Sequence, residues 1–183
     1  MSSVIRDRRL GIVWLAARLW VGYEFFHAGW QKSTSESSSW WGSTSGVHGF
    51  LSNAGSSAST SGAHAAVPHW YASVVNHVFL HLDHVFAVAI PLGELLVGAG
   101  LILGLFTMAS AFFGVLLNLN FMLSGSTGAG LNPEMLTLGM LILFAGSAAY
   151  VFGVDRFLLP RLKTGLSDRR HKTVAPRPVP IAH

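Results

Sequence analysis

Four stretches of this chain are apolar and long enough to cross a lipid bilayer, and no other feature restricts its possible folds as strongly. A spanning helix needs about 20 mostly apolar residues to match a hydrocarbon core of about 30 Å. The stretches run from about Leu10 to Gln31, Val85 to Gly104, Phe106 to Leu123 and Met135 to Val154. In lipid a backbone must satisfy its own polar groups, so each stretch reads as an α-helix. Only 11% of the 183 residues are charged, against roughly 25% in a soluble domain. The expected fold class is an all-α membrane protein: a four-transmembrane-helix bundle with an extracytoplasmic loop that contains a short amphipathic helix. Residues 1–162 form the membrane domain, with the outer loop at 33–84, and residues 163–183 form a basic cytoplasmic tail.

Charge sets the expected orientation. Ten of the twelve Lys and Arg residues lie near the ends: Arg6, Arg8, Arg9, Arg156, Arg161, Lys163, Arg169, Arg170, Lys172 and Arg177. The positive-inside rule then places both termini in the cytoplasm of a multi-pass plasma-membrane protein, consistent with four crossings. A basic segment beside a span meets anionic lipid headgroups, so the lipid bilayer rather than nucleic acid is the expected partner of this charge. The Gly104-Leu105-Phe106-Thr107 turn is short enough to make an antiparallel hairpin, and Ser124 to Glu134 reads as a Gly/Ser/Pro loop.

Between the first and second stretches, Ser33 to Ala66 reads as irregular, with Trp40, Trp41, Phe50 and Leu51 dipping into the membrane interface. From Pro68 onward the pattern reads as an amphipathic helix lying on the membrane. Glu36 and Asp83 are the only charges of this outer segment besides its histidines, a composition suited to an acidic exterior. His77, His81 and His84 have helical spacing, but such a triplet is usually a polar face, and no metal centre is expected. The chain has no cysteine, which excludes disulfides, thiol redox chemistry, iron–sulfur clusters and covalent haem. Haem b would require His27 and His84 to face one another and is not the expected cofactor. The first apolar stretch is too long for a signal-peptide core and lacks a cleavage site after it, so it reads as a span.

Ionisable residues inside spans cost about 2.5–3.5 kcal/mol each at the centre, so each needs a reason. Arg18, Gly22, Phe25, Gly29 and Lys32 recur at helical spacing and form one stripe, with its glycines toward the bundle. Glu24, His27 and Gln31 form a second stripe beside it. Glu94 stands near the middle of the second stretch. Counted at 1.5 Å per residue, Arg18 and Glu94 lie about 12 and 15 Å from the cytoplasmic edge, which predicts an ion pair between them. Asn118 and Asn120 fall in the outer half of the third stretch. The candidate proton-exchanging residues are Glu24, His27 and Glu94, and the candidate cofactor-binding residues are Arg18, Lys32, Asn118 and Asn120. Gly22, Gly29 and Gly98 are expected to leave room for lipid access between helices.

The pattern Arg18-x3-Gly22-x2-Phe25-x3-Gly29-x2-Lys32 resembles the DoxX family of small membrane proteins. So do the run from Gly93-Glu94-Leu95 to Phe106-Thr107 and the tail Gly153-Val154-Asp155-Arg156-Phe157-Leu158-Leu159-Pro160. Asn118-Leu119-Asn120-Phe121-Met122-Leu123-Ser124-Gly125 is similar to the third helix of its DoxD-like branch. The resemblance implies a quinone-linked membrane subunit of a respiratory oxidoreductase, of which thiosulfate:quinone oxidoreductase is the model, with quinone as cofactor and a partner membrane or extracytoplasmic subunit. It directs attention first to Arg18, Lys32 and Glu94. The alternative is a non-catalytic accessory subunit of a larger respiratory complex, in which Trp40, Trp41, Trp70 and Tyr71 form the docking surface. A small-anion transporter is disfavoured, because four helices are few and no inverted repeat is visible.

Overall fold

The computed structural model describes residues 8–34, 40–41, 43–56, 60, 66–126, 133–146 and 153–156. The expected basic tail (163–183), Arg6 and most of the Ser124 to Glu134 loop lie outside these residues, as does the last part of the fourth apolar stretch. The described residues are all helix and connection: α1 Arg8–Thr34, α2 Ser45–Gly55, α3 His69–His77, a 3-10 turn Phe79–Leu82, α4 Asp83–Leu103, α5 Thr107–Leu123 and α6 Pro133–Ala145. The helical run His69–Leu103 is the one long and apolar enough to cross a membrane by length and composition. Its apolar part is α4. At 27 residues α1 is longer than α4, but Arg18, Glu24 and Lys32 dilute its apolarity. The described lengths of α5 and α6 are 17 and 13 residues, both apolar.

The bundle is organised around the contact of α1 with α4, the most extensive in the molecule. Glycines make it possible. A Cβ at Gly98 would lie 2.5 Å from the Phe26 nitrogen and 2.7 Å from the Gly22 oxygen, and one at Gly29 would lie 2.9 Å from Leu95 N and Pro91 O. The two backbones therefore touch, as small residues permit in membrane helix pairs. The expected gaps for lipid access beside Gly22, Gly29 and Gly98 are not present, because the neighbouring backbone fills them. Val21, Phe25, Val97, Leu101, Ala111, Phe121, Met135 and Ile142 form the core of this bundle.

At the hairpin between α4 and α5, α4 ends at Gly104 with φ +67°, a left-handed position glycine tolerates, and Phe106 follows at φ 49°. The boundary matches the sequence reading closely. The outer segment does not. Ser45–Gly55 is helical rather than irregular, because Val47, Leu51 and Ala54 recur at helical spacing and are all buried. The Ser and Gly residues around them masked that period. Trp40 and Leu51 are buried in a second core with Val67, Tyr71, Val75 and Ala87, so they pack within the protein instead of entering a membrane interface; Trp41 is exposed. The amphipathic helix after Pro68 is present as α3, burying Tyr71, Ala72 and Val75. Together α2, α3 and the 3-10 turn cap the end of the bundle opposite the Gly104 hairpin.

The cap is tied to α4 by charge. His48 Nδ1 of α2 lies 2.9 Å from Asp83 Oδ2, and the backbone N–H of His84 donates to Asp83 Oδ1 at 2.6 Å. The His48 hydrogen bond holds the Asp83 carboxyl below its ordinary value, partly opposed by desolvation and aided by the His84 N–H. A carboxyl lowered in the folded state contributes stability that is present above its unfolded value of 3.8 and lost as pH falls through the folded one. Acidification below 3.8 is thus expected to loosen α2 from α4. Amide exchange in Ser45–Gly55 should rise in that range, and His48→Ala should remove the step. An unchanged exchange profile in both proteins would show that the contact does not hold the cap.

Candidate functional site

The polar site grows from three layers of the bundle. Phe25, Val97 and Gly114 share one layer, since a Cβ on Gly114 would meet Phe25 and Val97 at 3.1 Å. One turn outward on each helix come Gly29, Glu94 and Asn118, and a further turn brings Lys32 and Phe121. Long helical side chains lean toward their helix N-terminus, so Lys32 reaches back down α1 to the Glu94 level. Its Nζ donates to Glu94 Oε1 at 2.5 Å. The carboxyl is fully buried and Lys32 is 18% exposed.

Lys32 is also boxed by aromatic rings, with Nζ 4.7 Å from the Phe121 centroid and 5.3 Å from that of Trp40. Ring faces attract a cation and offset part of its desolvation. The Trp40 N–H donates to the Lys32 carbonyl at 2.9 Å, fixing the cap on the end of α1. The second Glu94 oxygen, Oε2, and both amide atoms of Asn118 are buried without a protein partner. Such atoms cost about 1–3 kcal/mol each when unmet, so three in one layer mark a place where polar chemistry outweighs packing.

The expected Arg18–Glu94 pair does not form, because the two groups differ in depth. Gly22 packs on Gly98 to Ile102 and Gly29 on Pro91 to Leu95. That antiparallel register sets Arg18 beside Gly104, ten residues and about 15 Å from Glu94. Counting both depths from one shared edge, Leu10 on α1 and Gly104 on α4, misplaced Arg18, since it is Arg18 itself that lies level with Gly104. The buried Arg18 guanidinium instead lies over Gly104 and Gly153, where a Cβ would meet Nη1 at 2.7 and 2.9 Å. Asp155 is its electrostatic partner.

Asp155 has a second task. Its carboxylate accepts the Phe106 N–H and the Thr107 N–H, both at 2.7 Å, and so caps the start of α5 from across the chain. Its own N–H donates to Gly104 O at 2.9 Å.

The remaining candidates occupy other surfaces. His27 is exposed on the α1 face away from α4, stacked on Tyr23 at 5.7 Å and 3.3 Å from the Gln31 amide. Glu24 is half-buried at the edge of that face. Neither meets Glu94. Asn120 points beneath the cap, where its carbonyl and amide oxygens lie 3.3 Å from the Tyr71 hydroxyl. The structure thus joins Lys32 to Glu94, sets Asn118 one turn along α5 from the layer of Phe25, Val97 and Gly114, and holds Arg18, Asn120, Glu24 and His27 apart from the pair. His77 contacts the Ser73 carbonyl and His84 contacts Asp83, so the histidine triplet does not converge.

Sequence reasoning missed Asp155, Phe121 and Trp40. The tail motif around Gly153 contained the first as a lone acid among basic residues. Nothing in the spacing of Trp40 distinguished a cation partner from an interface anchor.

These features define an α-helical membrane protein with a lysine–glutamate pair buried between its first apolar helix and the helix that follows the outer cap. A model of the DoxX family matches residues 13–127, covering α1 to the end of α5. The chain belongs to the DoxX family. No curated protein and no solved structure matches it.

Proposed function

We propose that this chain is the quinone-linked membrane subunit of a respiratory oxidoreductase, crossing the membrane four times with both termini cytoplasmic. The observation that carries the proposal is the half-satisfied Glu94: one oxygen is on Lys32, and the other is buried without a partner among the described residues. Reduction of a quinone to a quinol consumes two electrons and two protons. A buried carboxyl beside an ammonium can pass protons, and an asparagine amide can hold a carbonyl or hydroxyl oxygen. The chain has no redox centre of its own that this reading uses. Electrons come from a reduced sulfur anion such as thiosulfate, drawn toward Lys32, or from a partner subunit.

Glu94→Gln keeps the shape of the side chain and removes the exchangeable acid. It should lower turnover with a soluble quinone analogue by about 100-fold or more. Glu24→Gln and His27→Gln, on the opposite face of α1, serve as the comparison and should have the smaller effect. Full activity in Glu94→Gln would remove the catalytic reading.

One observation favours a second reading, an accessory subunit. His27 is exposed on a helix read as a span, and an ionisable group in that position is expected to face protein or water rather than lipid. A partner subunit covering that face would satisfy it. Co-purification with a respiratory complex, together with full activity in Glu94→Gln, would support this reading.

A further inference from the structure

Between the cap and the bundle lies a cavity of about 140 Å³. Its walls include Phe50, Phe79, Phe86 and Phe121, and its polar end is made by Tyr71, Asn120 and Ser124. We propose that this cavity binds a single six-membered ring bearing a carbonyl oxygen, held by the Tyr71 hydroxyl. The inference rests on the quinone reading above and deepens it by giving the ring a place one aromatic side chain away from Lys32.

Size comes first. A cavity on the order of 150 Å³ lined by apolar side chains accommodates benzene. Shape follows from the walls, where Phe79 and Phe86 meet edge to face at 5.1 Å, and Phe50 and Phe121 do so at 5.9 Å. Ring edges and faces of this kind favour a flat aromatic or quinoid guest over a branched aliphatic one.

The polar end decides the guest's chemistry. Ser124 Oγ already donates to the Asn120 carbonyl at 2.8 Å, and the Asn120 amide donates to the Leu116 carbonyl at 2.8 Å. The Tyr71 hydroxyl is the donor left with only long contacts: 3.3 Å to each Asn120 oxygen and 3.2 Å to Ser124 Oγ. All three lie beyond the usual 2.7–2.8 Å of O–H···O bonds, so its proton can turn to a better acceptor at little cost. The guest therefore presents an acceptor at this end, which a quinone carbonyl supplies. Phe121 closes one side of the cavity and also carries Lys32 at 4.7 Å, which puts the ring next to the Lys32–Glu94 pair.

The test is binding of dimethylbenzoquinone, and of xylene as its carbonyl-free counterpart, to the full chain in detergent, measured by calorimetry alongside turnover. Tyr71→Phe should weaken dimethylbenzoquinone roughly tenfold, the upper range for one hydrogen bond, and leave xylene unchanged. Leu117→Trp, which fills the cavity from α5, should abolish binding of both. Should Leu117→Trp fail to fold, the Tyr71→Phe comparison decides alone. Equal binding of the quinone to wild type and Tyr71→Phe overturns the inference, as does the absence of ring binding. Loss of binding in Glu94→Gln with no effect of Tyr71→Phe would put the ring at the carboxyl, overturning this inference while the functional reading stands. Ring binding as described, with no quinone turnover by the chain together with whatever partner co-purifies with it, would leave the cavity assigned and remove the functional reading.

Discussion

Lys32→Met should destabilise the folded chain by about 3–5 kcal/mol, the usual loss when one member of a buried ion pair is removed. The reason is asymmetric burial. Glu94 has no exposed surface, whereas Lys32 keeps 18%. Methionine retains the stem and its contacts with Phe121 and Trp40 but strands the carboxylate, whose other oxygen already lacks a protein partner. Glu94→Gln strands a lysine that still has ring faces and a route to water, so its loss should be smaller. The double variant Lys32→Met/Glu94→Gln should recover much of the loss, because the charge is gone along with its partner. Thermal or denaturant unfolding in one detergent, read as a double-mutant cycle, gives the coupling directly. Additive single losses would mean that the pair contributes no coupling and that Glu94 is satisfied in another way.

Asp155→Ala should also destabilise the fold, because one side chain serves two structures. Its carboxylate is buried at 1% exposure and faces Arg18, also at 1%. Removing it withdraws the negative charge that favours the buried guanidinium, which destabilises the fold. It also takes the acceptor from the Phe106 and Thr107 N–H groups, and losing a helix cap costs a further 0.5–2 kcal/mol or so. Asp155→Asn keeps an oxygen for one of those N–H groups and should fall between the two. Amide exchange separates the components: exchange at Phe106 and Thr107 should rise in Asp155→Ala, and Arg18→Met added to it should leave that local rise unchanged. An unfolding midpoint equal to wild type would show that neither contact supports the fold.

The two polar layers differ in how visible they were in the sequence. The stripe of Arg18, Gly22, Phe25, Gly29 and Lys32 was legible, because helical spacing fixes which residues share a face whatever the neighbour. Glu94 was legible as well, since a lone acid in an apolar stretch needs a reason to be there. The ends of α4 and α5 followed from the Gly104 turn. The pairing of these charges was not legible. A shift of a few residues between α1 and α4 decides whether Glu94 meets Arg18 or Lys32, and spacing within a helix carries no information about sliding between helices. Glycine contacts at Gly22, Gly29 and Gly98 set that register.

Local sequence by itself thus determined the helical class, the apolar stretches, the hairpin and the face on which the first-helix charges stand. These follow from period and composition, which act over a few residues. Only the tertiary structure decided which charges meet, that Asp155 links Arg18 to the start of α5, and that the segment between the first and second apolar stretches folds into a cap with an aromatic cavity beneath it. The charge and capping contacts join residues far apart in the chain: Lys32 and Glu94 are 62 apart, and Phe106 and Asp155 are 49 apart. Such contacts depend on how helices pack, and packing is set by the shapes of both surfaces at once, a property that no single stretch of sequence contains.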